Sequence, residues 1–258
     1  MRLTILGSGT SNGIPVVGCD CAVCQSDDPR DKRTRPSALV EVGDRRVLID
    51  TATELRLQLV REHVLSIDAI VFTHEHADHI YGLDDVRVFS MRQRRALPVY
   101  GPPRTLAALK RAFAYVFDES PMTGGGRPQL ELHEVDGPFE AAGVPFEPIP
   151  VWHGPTPVMA YRVGDMAYVT DVNRIDEPSM SRLRGLDVLV LDALRERPHP
   201  THYSLSEAVA VIEELKPRRA FLTHICHDMG HRDVEGKLPP NVELAYDGLR
   251  LELADPVG

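Results

Sequence analysis

The chain has 258 residues, of which 43% are hydrophobic and 26% are charged. This composition is typical of a folded globular protein and excludes an intrinsically disordered one. The formal net charge of −9 weighs against a general nucleic-acid binder, which usually carries a basic stripe.

The sequence also argues against a membrane or exported protein. No apolar run approaches the ~20 residues that a membrane-spanning helix needs. The apolar part of Met1–Gly7 is too short for a signal peptide, and the segment is predicted to be a first strand. We therefore expect a cytoplasmic protein that folds as one domain over residues 1–258.

The predicted strands are short apolar runs bounded by turn residues, some alternating with period two and others continuously apolar. In chain order they are Leu3–Leu6, Ala38–Val42, Arg46–Ile49, Ala69–Phe72, Val99–Tyr100, Glu131–Val135, Phe146–Pro150, Ala160–Val163, Ala167–Thr170, Val188–Leu191 and Ala220–Leu222. Three helices are predicted between them, at Ala52–His63, Thr105–Phe117 and Ser204–Leu215. This order predicts an α/β protein with a large buried sheet system. The glycine-rich stretch 122–128 is predicted to be a mobile loop.

Four potential metal ligands lie directly after the predicted buried strand Ala69–Phe72. The sequence there is Thr73-His-Glu-His-Ala-Asp-His79. Imidazole and carboxylate groups are the usual ligands of zinc, manganese and iron, and strand ends are where α/β sheets place ligands. If the chain turns into a helix after an extended stretch, His79 can reach a second ion beside the first. We therefore predict a metal centre built from His74, His76, Asp78 and His79.

This H-x-H-x-D-H pattern resembles the metallo-β-lactamase superfamily, and the resemblance runs from Gly7-Ser-Gly-Thr10 to Tyr246-Asp-Gly-Leu249. It implies an αββα sandwich, in which two mixed β-sheets lie face to face with helices outside and metals at one edge. It also implies three more ligands, each following a strand: His153, Asp171 and His224. In that family pattern His74, His76 and His153 bind one ion, Asp78, His79 and His224 bind the second, and Asp171 bridges them.

Three of the four cysteines are clustered in Cys19-Asp-Cys21-Ala-Val-Cys24. Clustered thiols in a reducing compartment favour metal binding over disulfides. A structural zinc needs a fourth ligand, and the sequence offers either His227 or Cys226, both close to the predicted ligand His224.

The C-x-C-x₂-C group, together with a histidine three residues after the last catalytic histidine, is similar to the PhnP subfamily, the phosphodiesterases of phosphonate breakdown. The resemblance implies that Cys19, Cys21, Cys24 and His227 hold one structural zinc, which leaves Cys226 as a buried thiol. It further implies small phosphodiester substrates, including cyclic ribose phosphates, two catalytic manganese or zinc ions, and a homodimer.

A candidate acid follows the strand Val188–Leu191. PhnP-like and tRNase Z-like enzymes carry a histidine just before a helix at this point, where it helps to protonate the leaving oxygen or stabilises charge on the phosphate. By that resemblance His202 is the matching residue. An imidazole pKa suits acid–base work near neutrality. His199 remains the competitor for this role. The predicted catalytic residues are His202 and Asp78.

The resulting expectation is a phosphodiesterase in which a hydroxide shared by two metals attacks phosphorus. A tRNase Z-like RNA 3′-processing nuclease is the enzyme alternative. Against it stand the shortness of the glycine-rich stretch, which is no convincing tRNA-gripping arm, and the acidic net charge. A non-catalytic metal-binding or cofactor-pathway protein is the other alternative, and the complete ligand set weighs against it.

Overall fold

The computed structural model describes residues 1–118, 120 and 126–256, which contain fourteen strands and eight α-helices. The strands are β1 (Arg2–Gly7), β2 (Ser37–Val42), β3 (Arg45–Ile49), β4 (Ala69–Val71), β5 (Leu97–Gly101), β6 (Leu130–Glu134), β7 (Phe139–Ala141), β8 (Val144–His153), β9 (Thr156–Val163), β10 (Met166–Val169), β11 (Val188–Asp192), β12 (Arg219–Thr223), β13 (Val242–Leu244) and β14 (Arg250–Glu252). The helices are α1 (Ala22–Gln25), α2 (Leu55–Arg61), α3 (Ala77–Ile80), α4 (Arg87–Gln93), α5 (Pro103–Ala112), α6 (Glu177–Arg182), α7 (Leu205–Leu215) and α8 (His231–Glu235). Short 3₁₀ turns lie at Pro29–Asp31, Leu83–Val86 and Ala114–Val116.

The strands form two seven-stranded mixed sheets. The first has the order β14-β1-β2-β3-β4-β5-β6, and the second has the order β13-β12-β11-β10-β9-β8-β7. In the first sheet the neighbours from β3 through β6 are parallel, and in the second sheet the neighbours from β10 through β13 are parallel. All other neighbouring strands are antiparallel. The predicted fold class, an αββα sandwich of two mixed sheets, is confirmed.

Alternation along each central strand explains the layers. In β3, Val47 and Ile49 point into a core that the two sheets share, whereas Leu48 points into a second core beneath the helices α2 to α5. In β11, Val190 belongs to the shared core and Leu191 to a third core under α6, α7 and α8. Because successive side chains alternate between faces, a continuously apolar strand can be buried on both sides.

The sequence predictions missed some elements and misplaced the ends of others. The edge strands β7, β13 and β14 were not predicted, because three-residue strands carry little periodicity. The second predicted helix is interrupted, since α5 ends at Ala112 and a 3₁₀ turn follows. The first spans only Leu55–Arg61. Residues 122–125 of the predicted glycine-rich loop lie outside the described part of the chain.

The carboxyl ends of several strands meet at one edge of the second sheet. Strands β10, β11 and β12 are parallel neighbours, and β8 runs in the same direction because both β8 and β10 are antiparallel to β9. Segments that follow these strands are therefore neighbours, as the sequence pattern predicts. The longest helix among the described residues, α7, has 11 residues, too few to cross a membrane.

The predicted capping box begins α7. The Ser204 hydroxyl accepts a hydrogen bond from the Glu207 N–H at 3.4 Å, and the Glu207 carboxylate accepts one from the Ser204 N–H at 2.8 Å. Both orphan donors of the first turn are thereby satisfied. This cap also fixes where the segment containing His202 ends.

Ser204→Ala should lower the free energy of unfolding by about 1 kcal/mol, because an N-terminal N–H of α7 loses its acceptor. Urea denaturation of the metal-loaded protein measures the change. Ser181→Ala is the matched control, since its hydroxyl makes only an exposed 3.4 Å contact on α6, and it should change stability by less than about 0.5 kcal/mol. Equal stability of wild type and Ser204→Ala would contradict the role of the cap.

Candidate metal centre

The structure brings the seven predicted catalytic-metal ligands together at the strand ends. Residues 74 to 79 follow β4 and turn into α3, while the other three ligands end or follow strands of the second sheet. The grouped residues are His74, His76 and Asp171; Asp78, His79 and His224; and His153, Asp171 and His202, with the ligand atoms of each group within 4.8 Å of one another. Six of the seven predicted ligands are buried and His76 is exposed, so the centre opens to solvent on one side.

Asp171 lies between the two histidine sets. One of its oxygens is 3.1 Å from His79 Nε2, and the other is 3.3 Å from His224 Nε2 and 3.9 Å from His74 Nε2. An oxygen of Asp78 also lies near His79, 3.4 Å from its Nε2. This central position is the geometry that a bridging carboxylate requires, and the ligand roles themselves stay predictions.

Hydrogen bonds fix which ring nitrogen of each histidine faces the centre. A carboxylate and a carbonyl only accept, so His79 donates its Nδ1–H to Asp50 at 2.7 Å and His153 donates its Nδ1–H to the Thr201 carbonyl at 2.7 Å. Thr73 gives its hydroxyl proton to Asp50 and lies 3.0 Å from His74 Nδ1, from which it accepts. In all three rings Nε2 is left for the centre.

These inward nitrogens fit a metal ion. The Nε2 atoms of His74, His79 and His224 are buried and, among the described residues, form no hydrogen bond of good geometry, although carboxylate oxygens lie close to them. Buried polar groups are normally paired, and a set of unpaired imidazole nitrogens around carboxylates is the donor set that divalent transition metals prefer.

Two buried carboxylates that the sequence analysis did not single out support the centre. Asp50 directly follows β3 and also accepts the Thr73 N–H at 2.8 Å. Asp192 ends β11 and accepts both His202 Nδ1–H at 2.7 Å and the Val172 N–H at 2.8 Å. Carboxylates that accept from a ligand histidine orient it and raise its basicity. The available signal was a lone Asp at the end of an apolar strand.

His202 packs among the predicted ligands, whereas His199 lies farther out. The His202 ring stacks on His224 with centroids 4.6 Å apart and meets His153 edge-on at 4.5 Å. His199 is 5.2 Å from His202 and contacts Thr201 instead of a carboxylate. The geometry therefore favours His202 over its competitor.

Left-handed backbone conformations occur at three site residues. Asp50, Asp171 and His224 have φ angles of 59°, 53° and 59°. Asp50 and His224 directly follow β3 and β12, and Asp171 lies two residues after the end of β10. Such conformations cost about 1–3 kcal/mol for residues other than glycine and persist where the surroundings impose them, commonly at functional sites. Here they turn the chain sharply at the strand end.

The carboxylates and histidines of the centre shift each other's pKa values. Burial alone would raise the pKa of Asp171, but the neighbouring histidines, His224 first, hold it well below its usual range. Burial alone would lower the pKa of His224, but Asp171 and Asp78 raise it to about 9. A divalent cation must displace such protons, so its affinity is expected to fall as the pH falls.

The second predicted metal site is also assembled. His227 Nδ1 lies 3.2, 3.5 and 3.6 Å from the sulfurs of Cys19, Cys21 and Cys24. All four ligand atoms are within 4.8 Å of one another, as four ligands of a tetrahedral zinc would be. The Cys21 sulfur caps α1 by accepting a hydrogen bond from the Cys24 N–H. This hydrogen bond is the main reason that the pKa of the Cys21 thiol is lowered to about 7.

Cys226, the other candidate fourth ligand, stays outside this group. Its sulfur accepts the Asp228 N–H at 3.3 Å. The expectation of a buried thiol is wrong, because Cys226 is only partly buried. Its backbone carbonyl accepts from the buried guanidinium of Arg33 at 3.2 Å, which fixes the segment between the two sites.

His227→Ala should lower the zinc content of the purified protein by one ion per chain, because the zinc ion loses its fourth ligand and only three thiolates remain to hold it. Cys226→Ala should keep the full content. Elemental analysis after dialysis against a weak chelator measures both variants. Loss of zinc from Cys226→Ala but not from His227→Ala would reverse the assignment.

Asp50→Asn should weaken catalytic-metal binding by about 10- to 100-fold, because an amide oxygen orients His79 less strongly than a carboxylate does. Competition with a chromogenic chelator measures the affinity. Asp44→Asn is the control, since Asp44 is an exposed turn residue. An unchanged affinity in a folded Asp50→Asn protein would refute the supporting role.

Comparisons with known proteins place this chain in a family. A family model described as the beta-lactamase superfamily domain matches residues 45–225. A solved structure described as a new diphosphatase from the PhnP family superposes with a TM-score of 0.93 at 46% sequence identity, covering 100% of this chain and 99% of that chain.

Two curated relatives carry other activities in their names. A ribonuclease Z of a Mycobacterium species (strain KMS) is 30% identical over 215 residues, covering 76% of this chain and 70% of that protein. An octanoyltransferase of Porphyromonas gingivalis is 38% identical over 254 residues, covering 96% of this chain but 51% of that protein. The chain spans about half of that protein's length, so the transferase name belongs to the longer protein and is not transferred to this chain.

The fold, the metal-ligand motifs at the strand ends and the near-complete match to a solved relative agree. The chain belongs to the metallo-β-lactamase superfamily and, within that superfamily, to the PhnP family.

Proposed function

We propose that the protein is a binuclear metal-dependent phosphoric diester hydrolase that acts on small phosphodiesters, cyclic ribose phosphates among them. The observation that carries the proposal is the position of Asp171, whose two oxygens face unpaired ring nitrogens of two histidine sets. A carboxylate in that position suits two ions side by side, and such pairs suit phosphoryl chemistry.

The residues that would hold the ions are the seven at the strand ends: His74, His76, Asp78, His79, His153, Asp171 and His224. When bound, manganese or zinc ions would supply Lewis-acid stabilisation of the phosphoryl oxygens and lower the pKa of water. The protein holds the ligands in place beforehand, since three of the rings are fixed by hydrogen bonds on the side away from the centre.

His202 is proposed to give a proton to the leaving oxygen. Its Nδ1–H is held by Asp192, so Nε2 is the atom that exchanges a proton with substrate. A ring nitrogen of His202 lies within 4.8 Å of the ligand atoms of His153 and Asp171, within reach of a group bound at the centre. The buried Asp192 carboxylate fixes the orientation of the ring.

Hydrolysis of an organic diphosphate is a second candidate. The PhnP-family structure that matches this chain at 46% identity is described as a diphosphatase. A phosphoanhydride and a phosphodiester share the charged phosphoryl group and an oxygen leaving group, so the same residues serve both. The RNA-processing and non-catalytic alternatives are outcomes of the same test. The cytoplasmic location, the homodimer and the single domain stay predictions.

A substrate panel tests the proposal. Protein that has been stripped of metal with a chelator and then reloaded with manganese or zinc should hydrolyse bis(p-nitrophenyl) phosphate. It should leave a β-lactam and a thioester intact. ADP, tested in parallel, separates the diphosphate candidate, and a precursor tRNA separates the nuclease. No phosphoester or phosphoanhydride hydrolysis by folded, metal-loaded protein would reject the proposal.

His202→Gln should lower kcat by about 10²- to 10⁴-fold, because the leaving oxygen loses its proton donor. The loss should shrink for a nitrophenolate leaving group, which needs little protonation, and grow for an alkoxide. His199→Gln is the matched control and should change kcat by less than about fivefold. A larger loss in His199→Gln than in His202→Gln would make His199 the acid.

A further inference from the structure

Asn173 joins the three loops that carry His153, Asp171 and His202. It lies two residues after Asp171, in the loop between β10 and α6. Its side-chain Oδ1 accepts the Gly154 N–H at 2.8 Å, in the turn between β8 and β9. Its Nδ2 donates to the Pro200 carbonyl at 2.8 Å, in the loop between β11 and α7. One amide thus connects both neighbouring loops to its own.

Both bonds act beside His153. Gly154 is the next residue in the chain, and Pro200 precedes Thr201, whose carbonyl accepts the His153 Nδ1–H at 2.7 Å. The Asn173 amide therefore holds the backbone of His153 on one side and the acceptor of its ring on the other. The backbone adds a further link, since the Asn173 N–H donates to the Trp152 carbonyl at 2.9 Å.

The packing of the turn supports the same conclusion independently. Gly154 has a φ of +59°, and a Cβ at this position would lie 2.7 Å from Thr201 Cγ2. Only glycine combines that conformation with so close an approach. The β8–β9 turn and the loop that contains His202 therefore pack closely at the point where Asn173 forms hydrogen bonds to both.

We infer that Asn173 is a positioning residue that sets the orientation of His153, and with it the spacing between His153 and His202. It is not one of the predicted metal ligands, and it acts through hydrogen bonds to the backbone of neighbouring loops. The inference rests on the proposed metal centre, but its main readout needs no substrate. Partners of this kind change metal affinity or activity by about 10- to 100-fold when they are removed.

The test compares Asn173→Ala and Asn173→Asp with wild type in metal titrations of chelated protein against a competing chelator. Asn173→Ala should weaken the ion held by His153 by about 10- to 100-fold and leave the other catalytic ion and the thiolate zinc unchanged. Asn173→Asp keeps the acceptor for Gly154 but sets a carboxylate against the Pro200 carbonyl, so it should also weaken that ion. Asn241→Ala is the matched control, because Asn241 makes a comparable 3.2 Å bond to the Pro217 carbonyl and is not among the residues of the centre.

Thermal unfolding of the metal-free variants separates positioning from a general structural role. Asn173→Ala removes two side-chain hydrogen bonds and Asn241→Ala removes one, so the midpoint should fall by no more than about twice as much in Asn173→Ala as in Asn241→Ala. Two catalytic ions bound as tightly as in wild type would overturn the inference, and so would equal weakening of both ions with a lower midpoint. Absence of phosphoester hydrolysis would count against the proposed function alone, since the titration stands without it.

Discussion

Three carboxylates buried at the ends of strands constrain the whole site. Asp50, Asp171 and Asp192 are 0%, 2% and 0% exposed, and an isolated buried carboxylate is too costly to keep. Asp50 and Asp192 each accept a histidine N–H and a backbone N–H from a neighbouring strand end. Both bonds of Asp192 go to Oδ2, and its buried Oδ1 has no hydrogen-bond partner among the described residues. Asp171 accepts the Thr170 hydroxyl at 2.7 Å, and its two oxygens lie 3.1 Å from His79 Nε2 and 3.3 Å from His224 Nε2. Its remaining charge calls for protons or cations at the centre.

The hydrogen bonds of the buried carboxylates connect both sheets to the residues of the candidate metal centre. Asp50 belongs to the first sheet and fixes residues 73 to 79, while Asp192 belongs to the second and fixes His202. The two predicted metal sites are connected as well, since His224 and His227 lie in one short segment after β12. Arg33, fully buried beside Asp31, holds the carbonyl of Cys226 inside that segment.

The sequence predicted an α/β protein with a large buried sheet system and a metal centre directly after the apolar strand Ala69–Phe72. The sandwich itself, and His153, Asp171 and His224 as further ligands, were implied by the family resemblance, and the structure brings these residues together. Asp50 and Asp192 were missed, because their partners lie 29 and 10 residues away and only the packed fold shows the pairing. Asn173 was missed for the same reason, since its amide bridges loops that are distant in sequence. Short edge strands such as β13 depend on neighbours for their conformation and not on their own periodicity.

The most direct measurement is anomalous X-ray diffraction, above the manganese and zinc absorption edges, from crystals of the metal-loaded protein. The account predicts two peaks at the strand ends, one beside His74, His76 and His153 and the other beside Asp78, His79 and His224, with Asp171 between them. It predicts a third, zinc-only peak among Cys19, Cys21, Cys24 and His227. A single peak or none at the strand ends of a fully loaded protein would contradict the two-metal centre.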